Sequence, residues 1–517
     1  MQEFSFSIIA AIAQGLRKES GAIRSDQGVS EMINMQLRQF GPEPYEDVTA
    51  IISAAELASN GIVIDYPFPQ LFKGKGIMLL ADEDAIYEVD TSDFTLTLIS
   101  TFDAYDPDST KAITADGVWH FADFHDTWFL YNGTSVVFRT HWGDFGFLPN
   151  LTYVQEEVVI GTGDEYKGRL VMSGFDPANF WNNEWDFALE CMKDNMPAGV
   201  EGDEAIRNNF VWWTMIANGD MLWLFYPELA FRKNSDNEFT LKGSRFLEAI
   251  QRNDMGFMPM PWNGDVHVVK TLGSYIIIYG EEGIAALRSL TEIPTMAMIP
   301  LTDYGIKSRA HIGGGDKGHV FVDTKGQVRR LNPDLTMQFL DYSEFILPIL
   351  DDDFHITYDE NENEFYLGSG SKSFLLGGVG LTEIHQIVTS VLTNDNGKVG
   401  IFETTGVATS TIVSNIIVIG NTALNTLTSI EIDGEYESGI QVAVDYRYDR
   451  NSSFTRTSFI SLNTMGWARF NFGGLEFRIV IRAPDFENFN PSDVTIKYKS
   501  TDKRNIRGID VSKITTR

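Results

Sequence analysis

Residues 117–140 read GVWHFADFHDTWFLYNGTSVVFRT. Apolar residues at 118–121, 128–131 and 136–138 are separated first by His125-Asp126 and then by Asn132-Gly133, a dipeptide typical of tight hairpin turns. The stretch therefore predicts three short antiparallel strands. A sheet of this size cannot bury both of its faces alone, so it must pack against further sheets.

Related units recur along the chain. They lie at Gly76–Ser100, Phe210–Pro227, Asp265–Leu290, Gly318–Asn332 and Asp353–Leu376, with a degenerate copy at Gly168–Trp185. Their spacing of roughly 35 to 55 residues predicts a β-propeller, in which each blade buries its faces against its neighbours. A tandem of β-sandwiches or one irregular sheet is the alternative that the pattern leaves open.

Near Gly400 the pattern changes to longer alternating strands. These are predicted at 428–432, 440–448, 457–462, 467–472, 477–483 and 494–499. They indicate a separate β-sandwich of about 100 residues. The predicted domains are an N-terminal arm and docking segment (1–67), a propeller-like domain (68–400), a sandwich (401–500) and a basic tail (501–517). The predicted fold class is therefore all-β, with a propeller-like repeat domain, a C-terminal β-sandwich and a short N-terminal helical or extended arm.

The N-terminal apolar run, Phe4–Ala13, is too short to span a bilayer, and its positive charges, Arg17 and Lys18, follow it. A signal peptide places such charges before its apolar region, so this interpretation is not favoured. We read Phe4–Arg17 as an amphipathic helix or a docking arm. The candidate docking residues are Phe4, Phe6, Ile8 and Ile9.

The chain is strongly acidic. Its 517 residues include 40 Lys and Arg against 72 Asp and Glu, a net charge of −32. Such a surface repels polyphosphates and anionic lipids at long range. A conventional nucleic-acid binder is not expected, since those proteins cluster Lys and Arg against phosphates. The charge either provides solubility or forms the wall of a channel to which DNA does not adhere.

The sequence contains no catalytic or cofactor-binding signature. The single cysteine, Cys191, excludes an intramolecular disulfide and fits folding in a cytoplasm. The eight histidines are scattered and form no HExxH motif. Gly313-Gly314-Gly315 is a candidate phosphate nest, with a bend between blades as the alternative. We therefore predict no enzyme activity, no cofactor and no bound metal.

One enzyme class stays open as an alternative. Propellers often host glycan-binding or glycoside-processing sites on their axis, built from carboxylates and aromatic platforms. The aromatic candidates are Trp181, Trp185, Trp212 and Trp213. The same side chains suit blade cores, so they do not decide between the two interpretations.

Five phrases of the chain resemble one protein family. They are residues 117–133, 169–177, 301–306, 319–323 and 341–346. In composition they are similar to the blades of podovirus-type tail nozzle proteins, also called tail hub or tubular tail proteins. The likeness covers roughly Gly61–Leu392.

The resemblance implies a structural virion protein, assembled in the host cytoplasm, that forms a homohexamer in the tail of a short-tailed phage. Such a ring extends the DNA ejection channel below the portal and the adaptor (head-to-tail connector) protein, retains the packaged genome and anchors fibres or spikes. Double-stranded DNA passes through without specific binding. The candidate channel gate or acidic lumen loop is Asp359, Glu360, Asn361, Glu362, Asn363 and Glu364.

Overall fold

The structure is a computed structural model that describes part of the chain. The described residues are 2–7, 11, 16, 28–38, 41–74, 77–99, 118–124, 127–132, 136–140, 151–155, 162–165, 170–175, 213–217, 221–224, 231–233, 239–241, 260–289, 296–378, 380–394, 397–406, 408–419, 424–435, 439–483 and 490–500. The chain divides into two compact units. Met1–Val48, Asn361–Ile387 and Glu403–Arg517 form the sandwich unit, and Thr49–Glu360 and Val388–Phe402 form the propeller unit.

The strands are numbered in chain order. The first nineteen are β1 Gln2–Ser7, β2 Val29–Ile33, β3 Met35–Arg38, β4 Gly41–Pro44, β5 Thr49–Ala50, β6 Gln70–Gly74, β7 Ile77–Ala81, β8 Ile86–Val89, β9 Leu96–Leu98, β10 His120–Phe124, β11 Thr127–Tyr131, β12 Val136–Thr140, β13 Leu151–Gln155, β14 Thr162–Glu165, β15 Leu170–Phe175, β16 Trp213–Ala217, β17 Met221–Leu224, β18 Phe231–Lys233 and β19 Phe239–Leu241.

The next strands are β20 Val266–Leu272, β21 Tyr275–Gly280, β22 Ile284–Ser289, β23 Met296–Thr302, β24 Ile312–Gly315, β25 Gly318–Val322, β26 Val328–Leu331, β27 Met337–Leu340, β28 His355–Asp359, β29 Glu364–Ser369, β30 Lys372–Leu376, β31 Leu381–Ile384, β32 Gln386–Asn394, β33 Gly397–Thr404, β34 Ser410–Ser414, β35 Asn425–Glu435, β36 Gln441–Arg447, β37 Thr455–Arg456, β38 Ile460–Ser461, β39 Trp467–Gly474, β40 Glu476–Ala483 and β41 Asn490–Ser500. The helices are α1 Ala54–Ser59 and α2 Ser343–Ile346, with 3-10 turns at Arg309–His311 and Leu347–Ile349.

The described residues of the propeller unit form five four-stranded sheets, each made of consecutive strands. They are β6–β9, β10–β13, β14–β17, β20–β23 and β24–β27. Four of them are antiparallel meanders. The third contains one parallel pair, β15 with β16. The predicted copies at 76–100, 117–140, 265–290 and 318–332 each fall in one of these sheets, whereas those at 168–185 and 210–227 supply strands of the same sheet and the copy at 353–376 belongs to none of the five. The all-β, propeller-like fold class is confirmed. Two of the sheets begin one strand earlier than the predicted repeats. Their first strands, β6 and β24, each precede the hairpin that the sequence shows most clearly.

The innermost strands of this unit form a closed ring. In chain order β6, β10, β14, β20, β24 and β28 lie side by side. The circle is completed by His355 Nε2, 2.9 Å from the Val388 carbonyl oxygen, and by the Leu71 amide, which donates to Ser390 Oγ at 2.8 Å. A ring of strands with outward-running sheets is the geometry of a β-propeller.

Apolar cores hold neighbouring sheets together. Trp119, from the stretch that begins the second sheet, is 1% exposed and packs against Leu79 and Leu130. Its indole nitrogen donates to the Asp82 carbonyl oxygen at 2.8 Å, so its one polar atom is also satisfied. Burying a side chain of this size stabilises the fold by about 3 kcal/mol. The predicted blade-to-blade packing is thus built on the residue that opens the repeat.

A tight joint connects the fourth and fifth sheets. The Ile306 amide donates to the Gly280 carbonyl oxygen at 3.0 Å, and the Thr324 amide donates to the Gly305 carbonyl oxygen at 3.1 Å. A Cβ on Gly305 would lie 1.7 Å from the Gly280 oxygen, so only glycine fits. Asp323 also forms an isolated β-bridge with Ile306.

Replacing Asp323 by alanine is expected to lower the free energy of unfolding by about 3 kcal/mol. The side chain is fully buried, and its Oδ1 accepts hydrogen bonds from the Lys325 and Gln327 amides, each at 2.9 Å. Its Oδ2 accepts from Arg329 Nε at 2.7 Å. Removing the carboxylate leaves these donors without their acceptor. Urea titration of the intact chain measures the loss.

Asp334 provides a matched control in the same sheet. Its carboxylate also organises a turn, accepting from the Thr336 amide at 3.0 Å, but it lies at the surface. Because water replaces the lost acceptor there, Asp334→Ala should cost clearly less than Asp323→Ala. Equal losses for the two variants would contradict the account of the joint.

The sandwich unit is built on two sheets. One has the strand order β1-β41-β35-β39, and the other contains β29-β30-β31-β2-β34-β40-β36, with β37 and β38 both pairing β36. Aromatic rings fill the space between them: Tyr446 and Phe472 have centroids 4.8 Å apart, and Phe472 and Phe477 are 6.2 Å apart. The predicted C-terminal sandwich is present, although residues 457–462 form only the short strand β38.

The N-terminal segment takes one of its two predicted forms. Residues 2–7 form the strand β1 rather than the start of a helix, pairing with β41 from Gln2↔Tyr498 to Ser7↔Asp493. β2 likewise pairs with β34. The extended alternative is therefore the one observed over residues 2–7. The predicted boundaries also differ from the two compact units, since residues up to Val48 and the segment Asn361–Ile387 group with the sandwich strands.

Candidate functional site

A cavity of about 330 Å³ lies inside the ring of innermost strands of the propeller unit. Its wall includes residues from seven strands: β6, β10, β14, β20, β24, β28 and β32. Central cavities at the meeting point of several elements are common ligand sites, and this volume falls at the small end of their range. We call it the central cavity.

Cationic side chains line the central cavity. Lys270 comes from β20, between strand residues that are otherwise mostly apolar, and Arg309 comes from the 3-10 turn that precedes β24. The hydroxyl of Ser308 accepts a hydrogen bond from the Ala310 amide and so caps the turn that carries Arg309. Lys73 is a third cation of the wall. The described part of the wall holds one carboxylate, Asp164.

Several of these polar groups lack protein partners within the described part of the chain. Nη1 of Arg309 and Nε2 of His120 are buried and have no hydrogen-bond partner there. No described residue accepts a hydrogen bond from the ammonium of Lys270. Buried cations are normally paired, because an unpaired charge in a dry site is costly.

The electrostatics of these groups follow from burial. Desolvation lowers the pKa of Arg309 to about 10, with the carboxylate of Asp265 opposing the shift. Desolvation also lowers the pKa of Lys270, opposed by Asp164 and Glu360. The pKa of His120 falls well below its usual range because of burial, and the charges of Arg309 and Lys270 push it in the same direction. The imidazole of His120 is therefore neutral near pH 7, with the charges of Arg309 and Lys270 favouring that form.

Asp164 has a structural partner. Its Oδ2 accepts a hydrogen bond from the Thr271 amide at 2.6 Å and so ties β14 to β20. The backbone donor holds part of the negative charge of the carboxylate. The described cavity wall keeps an excess of positive charge, although the whole chain carries −32.

The glycine run that the sequence offered as a phosphate nest lies on this wall. Gly313 and Gly314 belong to β24, which pairs with β25. A Cβ on Gly313 would lie 2.7 Å from Ile356 Cγ2, and one on Gly314 would lie 2.3 Å from the Gly318 carbonyl oxygen. Close packing of strands explains these two glycines without a ligand.

Two more histidines of this unit, His319 and His311, are buried, and His319 has defined hydrogen-bond partners. Nε2 of His319 lies 3.0 Å from the Thr271 carbonyl oxygen and Nδ1 lies 2.9 Å from the Tyr279 hydroxyl. A carbonyl only accepts, so Nε2 carries the hydrogen and Nδ1 accepts from the tyrosine, which is the neutral form. Burial lowers the pKa of His319 to about 3. Burial also lowers the pKa of His311 to about 4.

The six predicted gate residues do not act as one exposed acidic loop. Asp359 is 1% exposed and accepts a hydrogen bond from Thr393 Oγ1 at 2.6 Å. Glu364, at the start of β29, is 2% exposed. Glu360, Asn361 and Glu362 are exposed and Asn363 is half-buried. None of the six is among the described residues that line the central cavity. Their role as a gate of a larger channel stays a prediction.

Two of the four predicted docking residues, Phe4 and Phe6, fall on β1. Phe6 is 6% exposed and already packed within the sandwich unit, whereas Phe4 is half-buried, with its ring centroid 6.3 Å from that of Phe6. Ile8 and Ile9 lie outside the described residues, as do Cys191, Trp181, Trp185 and Trp212. Trp213 begins β16.

The described residues show neither a metal site of clustered side chains nor a membrane-spanning helix. They contain no group of three or more His, Cys, Asp or Glu side chains arranged to hold a metal ion. In the same residues no helix is both long and apolar enough to cross a membrane.

Sequence analysis did not identify the central cavity. Its members, His120, Asp164, Lys270 and Arg309, are spread over 190 positions, and each stands alone in its own segment. The one available signal was Lys270, a cation within the apolar strand VHVVKTL at 266–272.

Comparisons with known proteins give similarities of fold only. No family model matches the chain, and no curated protein matches it. The solved structure of PorZ from Porphyromonas gingivalis, an essential surface component of the type-IX secretion system, is 8% identical with a TM-score of 0.29, over 79% of this chain and 46% of that one. The chain thus spans about half the length of PorZ.

Two further solved structures are similar. The Pan2 WD40 domain of Neurospora crassa is 8% identical with a TM-score of 0.33, over 68% of this chain and 86% of that one. BBS1N in complex with ARL6DN is 13% identical with a TM-score of 0.31, over 71% of this chain and 91% of that one. With TM-scores this low, the propeller assignment rests on the sheets themselves.

Proposed function

We propose that this chain is a structural virion protein that forms the tail nozzle ring of a short-tailed phage. In this role six copies extend the DNA ejection channel below the portal and adaptor, retain the packaged genome and anchor fibres or spikes. The chain supplies architecture and carries out no catalytic step.

The observation that carries the proposal is where the nozzle-like phrases lie in the fold. Residues 301–306 and 319–323 meet at the joint between the fourth and fifth sheets, where Gly305 packs on the Gly280 backbone. Residues 117–124 supply the innermost strand of the second sheet and the buried Trp119. The phrases thus encode contacts between blades, which a rigid structural ring requires.

The charge of the chain supports the same role. A surface with a net charge of −32 repels the phosphates of DNA, so a channel with such walls lets the polymer pass without adhesion. A protein that retained DNA by binding its phosphates would instead present clustered Lys and Arg.

The alternative is a propeller that binds or cleaves glycans. A glycan array and a panel of glycoside substrates, applied to the purified chain, separate the two functions. The nozzle role predicts no turnover and no glycan bound above background. Clear hydrolysis of any substrate in the panel would overturn the proposal.

A genetic test addresses the nozzle role itself. Particles assembled without this chain are expected to package DNA and then lose it, because the channel below the adaptor is left open. Quantitative PCR of nuclease-resistant DNA in purified particles measures the retained genome. Full retention without the chain would contradict the role.

A further inference from the structure

We propose that the central cavity of the propeller unit binds a small tetrahedral oxyanion of the phosphate class. This inference does not rest on the proposed nozzle function, because it follows from the cavity wall alone. No residue of the candidate gate or of the N-terminal strand lines the cavity.

Two cations in the wall of the central cavity lack acceptors within the described part of the chain. Lys270 and Arg309 line the cavity, and the described part of the chain supplies no hydrogen-bond acceptor for Nη1 of Arg309 or for the ammonium of Lys270. A folded protein that holds two such groups in one cavity gains stability when an anion enters. The wall is therefore complementary to negative charge.

The donors reach the central cavity from different directions. His120 lies on β10, Lys270 on β20 and Arg309 on the turn before β24, so three separate elements of the ring present donors to one space. A planar carboxylate offers two oxygens in one plane, whereas a tetrahedral oxyanion offers oxygens in several directions. Guanidinium and ammonium groups together are a usual combination for phosphate.

Asp164 is the one carboxylate among the described residues of the cavity wall. Asp164 is engaged by the Thr271 amide at 2.6 Å, which draws its negative charge toward the strand pair. The carboxylate does not form an ion pair with Lys270 within the distance of a salt bridge among the described residues. It therefore leaves the cations available to a ligand.

Calorimetric titration of the intact chain in chloride buffer tests the proposal. Inorganic phosphate is expected to bind with one site per chain and to raise the melting temperature, and acetate is expected to bind at least tenfold more weakly. Sulfate binding as tightly as phosphate also supports a tetrahedral site. Absence of phosphate binding at millimolar concentration, or equal binding of acetate, overturns the assignment.

A further arm of the same experiment identifies the source of the anion. Glycerol phosphate binding more tightly than inorganic phosphate assigns the site to the phosphoryl group of a larger ligand. Weaker binding of glycerol phosphate assigns it to the free ion.

Substitutions test whether Arg309 and Lys270 bind the anion. Arg309→Met and Lys270→Met keep the apolar stem and remove the charge, and each should weaken phosphate binding at least tenfold. In phosphate-free buffer both variants should melt at a higher temperature than the wild type, because an unpaired buried charge has been removed. Lys307→Met, which removes an exposed cation two residues before Arg309, is the matched control and should leave the affinity unchanged.

The phosphate affinity and the melting temperature of these variants test the proposal independently. Unchanged affinity in Arg309→Met and Lys270→Met overturns the proposal. Lower melting temperatures for both variants in phosphate-free buffer also overturn it, since they would mean that the two cations are paired within the chain.

Discussion

Lowering the pH from 7 to 5 is expected to reduce the free energy of unfolding, and His311 and His319 should contribute about 2 kcal/mol each to the loss. Burial lowers the pKa of His319 to about 3 and that of His311 to about 4. An unfolded histidine titrates near pH 6.5, so between these values the unfolded chain binds more protons than the folded one. Stability is complete above pH 6.5 and falls as the pH approaches the folded pKa values.

Urea titrations of the intact chain at pH 7 and pH 5 measure this effect. His319→Gln removes the titrating ring while keeping one donor and one acceptor, so the difference between the two pH values should shrink by about 2 kcal/mol. A difference that is the same in His319→Gln and in the wild type would contradict the assignment of the neutral ring.

His355 is the matched control for this prediction. Both of its ring nitrogens face carbonyl oxygens, those of Asp353 at 3.1 Å and Val388 at 2.9 Å. These two acceptors favour the protonated ring and oppose the lowering of its pKa by burial. His355→Gln should therefore change the pH dependence less than His319→Gln does.

Replacing Asn34 by alanine is expected to reduce the free energy of unfolding of the sandwich unit by about 4 kcal/mol. Asn34 is 3% exposed and has a φ of 55°. Its Oδ1 accepts from the His385 amide at 2.8 Å and lies 2.9 Å from His385 Nδ1, and its Nδ2 donates to the Thr409 carbonyl oxygen at 3.3 Å. Alanine removes these bonds and adds the strain of a left-handed backbone.

Asn34→Gly separates the two contributions. Glycine adopts the left-handed region freely, so this variant loses the side-chain bonds alone and should be about 1 kcal/mol more stable than Asn34→Ala. Denaturant titration followed by amide hydrogen exchange in the strand β39 reports on this unit. A glycine variant no more stable than the alanine variant, or either within error of the wild type, would contradict the assigned role.

The sequence predicts the local part of this fold well and the long-range part poorly. Alternation and turn residues in 117–140 predict β10, β11 and β12, since these signals act between neighbouring residues. Gln2 pairs with Tyr498, which lies 496 positions away along the chain, and no local pattern in Gln2–Ser7 indicates its partner. The local sequence therefore predicts an arm that is helical or extended, and it does not predict the place of this arm at the edge of a sheet.

The central cavity could not be predicted from the sequence for the same reason, because it depends on contacts between residues that are far apart in the chain. A net charge of −32 describes the whole surface, whereas Lys270 and Arg309 meet inside the ring because strands close a circle. The acidic run at 359–364 was easier to see in the sequence. In the structure Asp359 is instead buried against Thr393, since it ends an innermost strand.

The position and copy number of this chain in the phage particle test the central claim most directly. Symmetry-resolved electron microscopy of intact particles, with quantitative mass spectrometry of purified tails, measures both. The account predicts six copies arranged as a ring around the channel, directly below the adaptor. A monodisperse monomer in assembled particles, or particles that lack the chain, would contradict it.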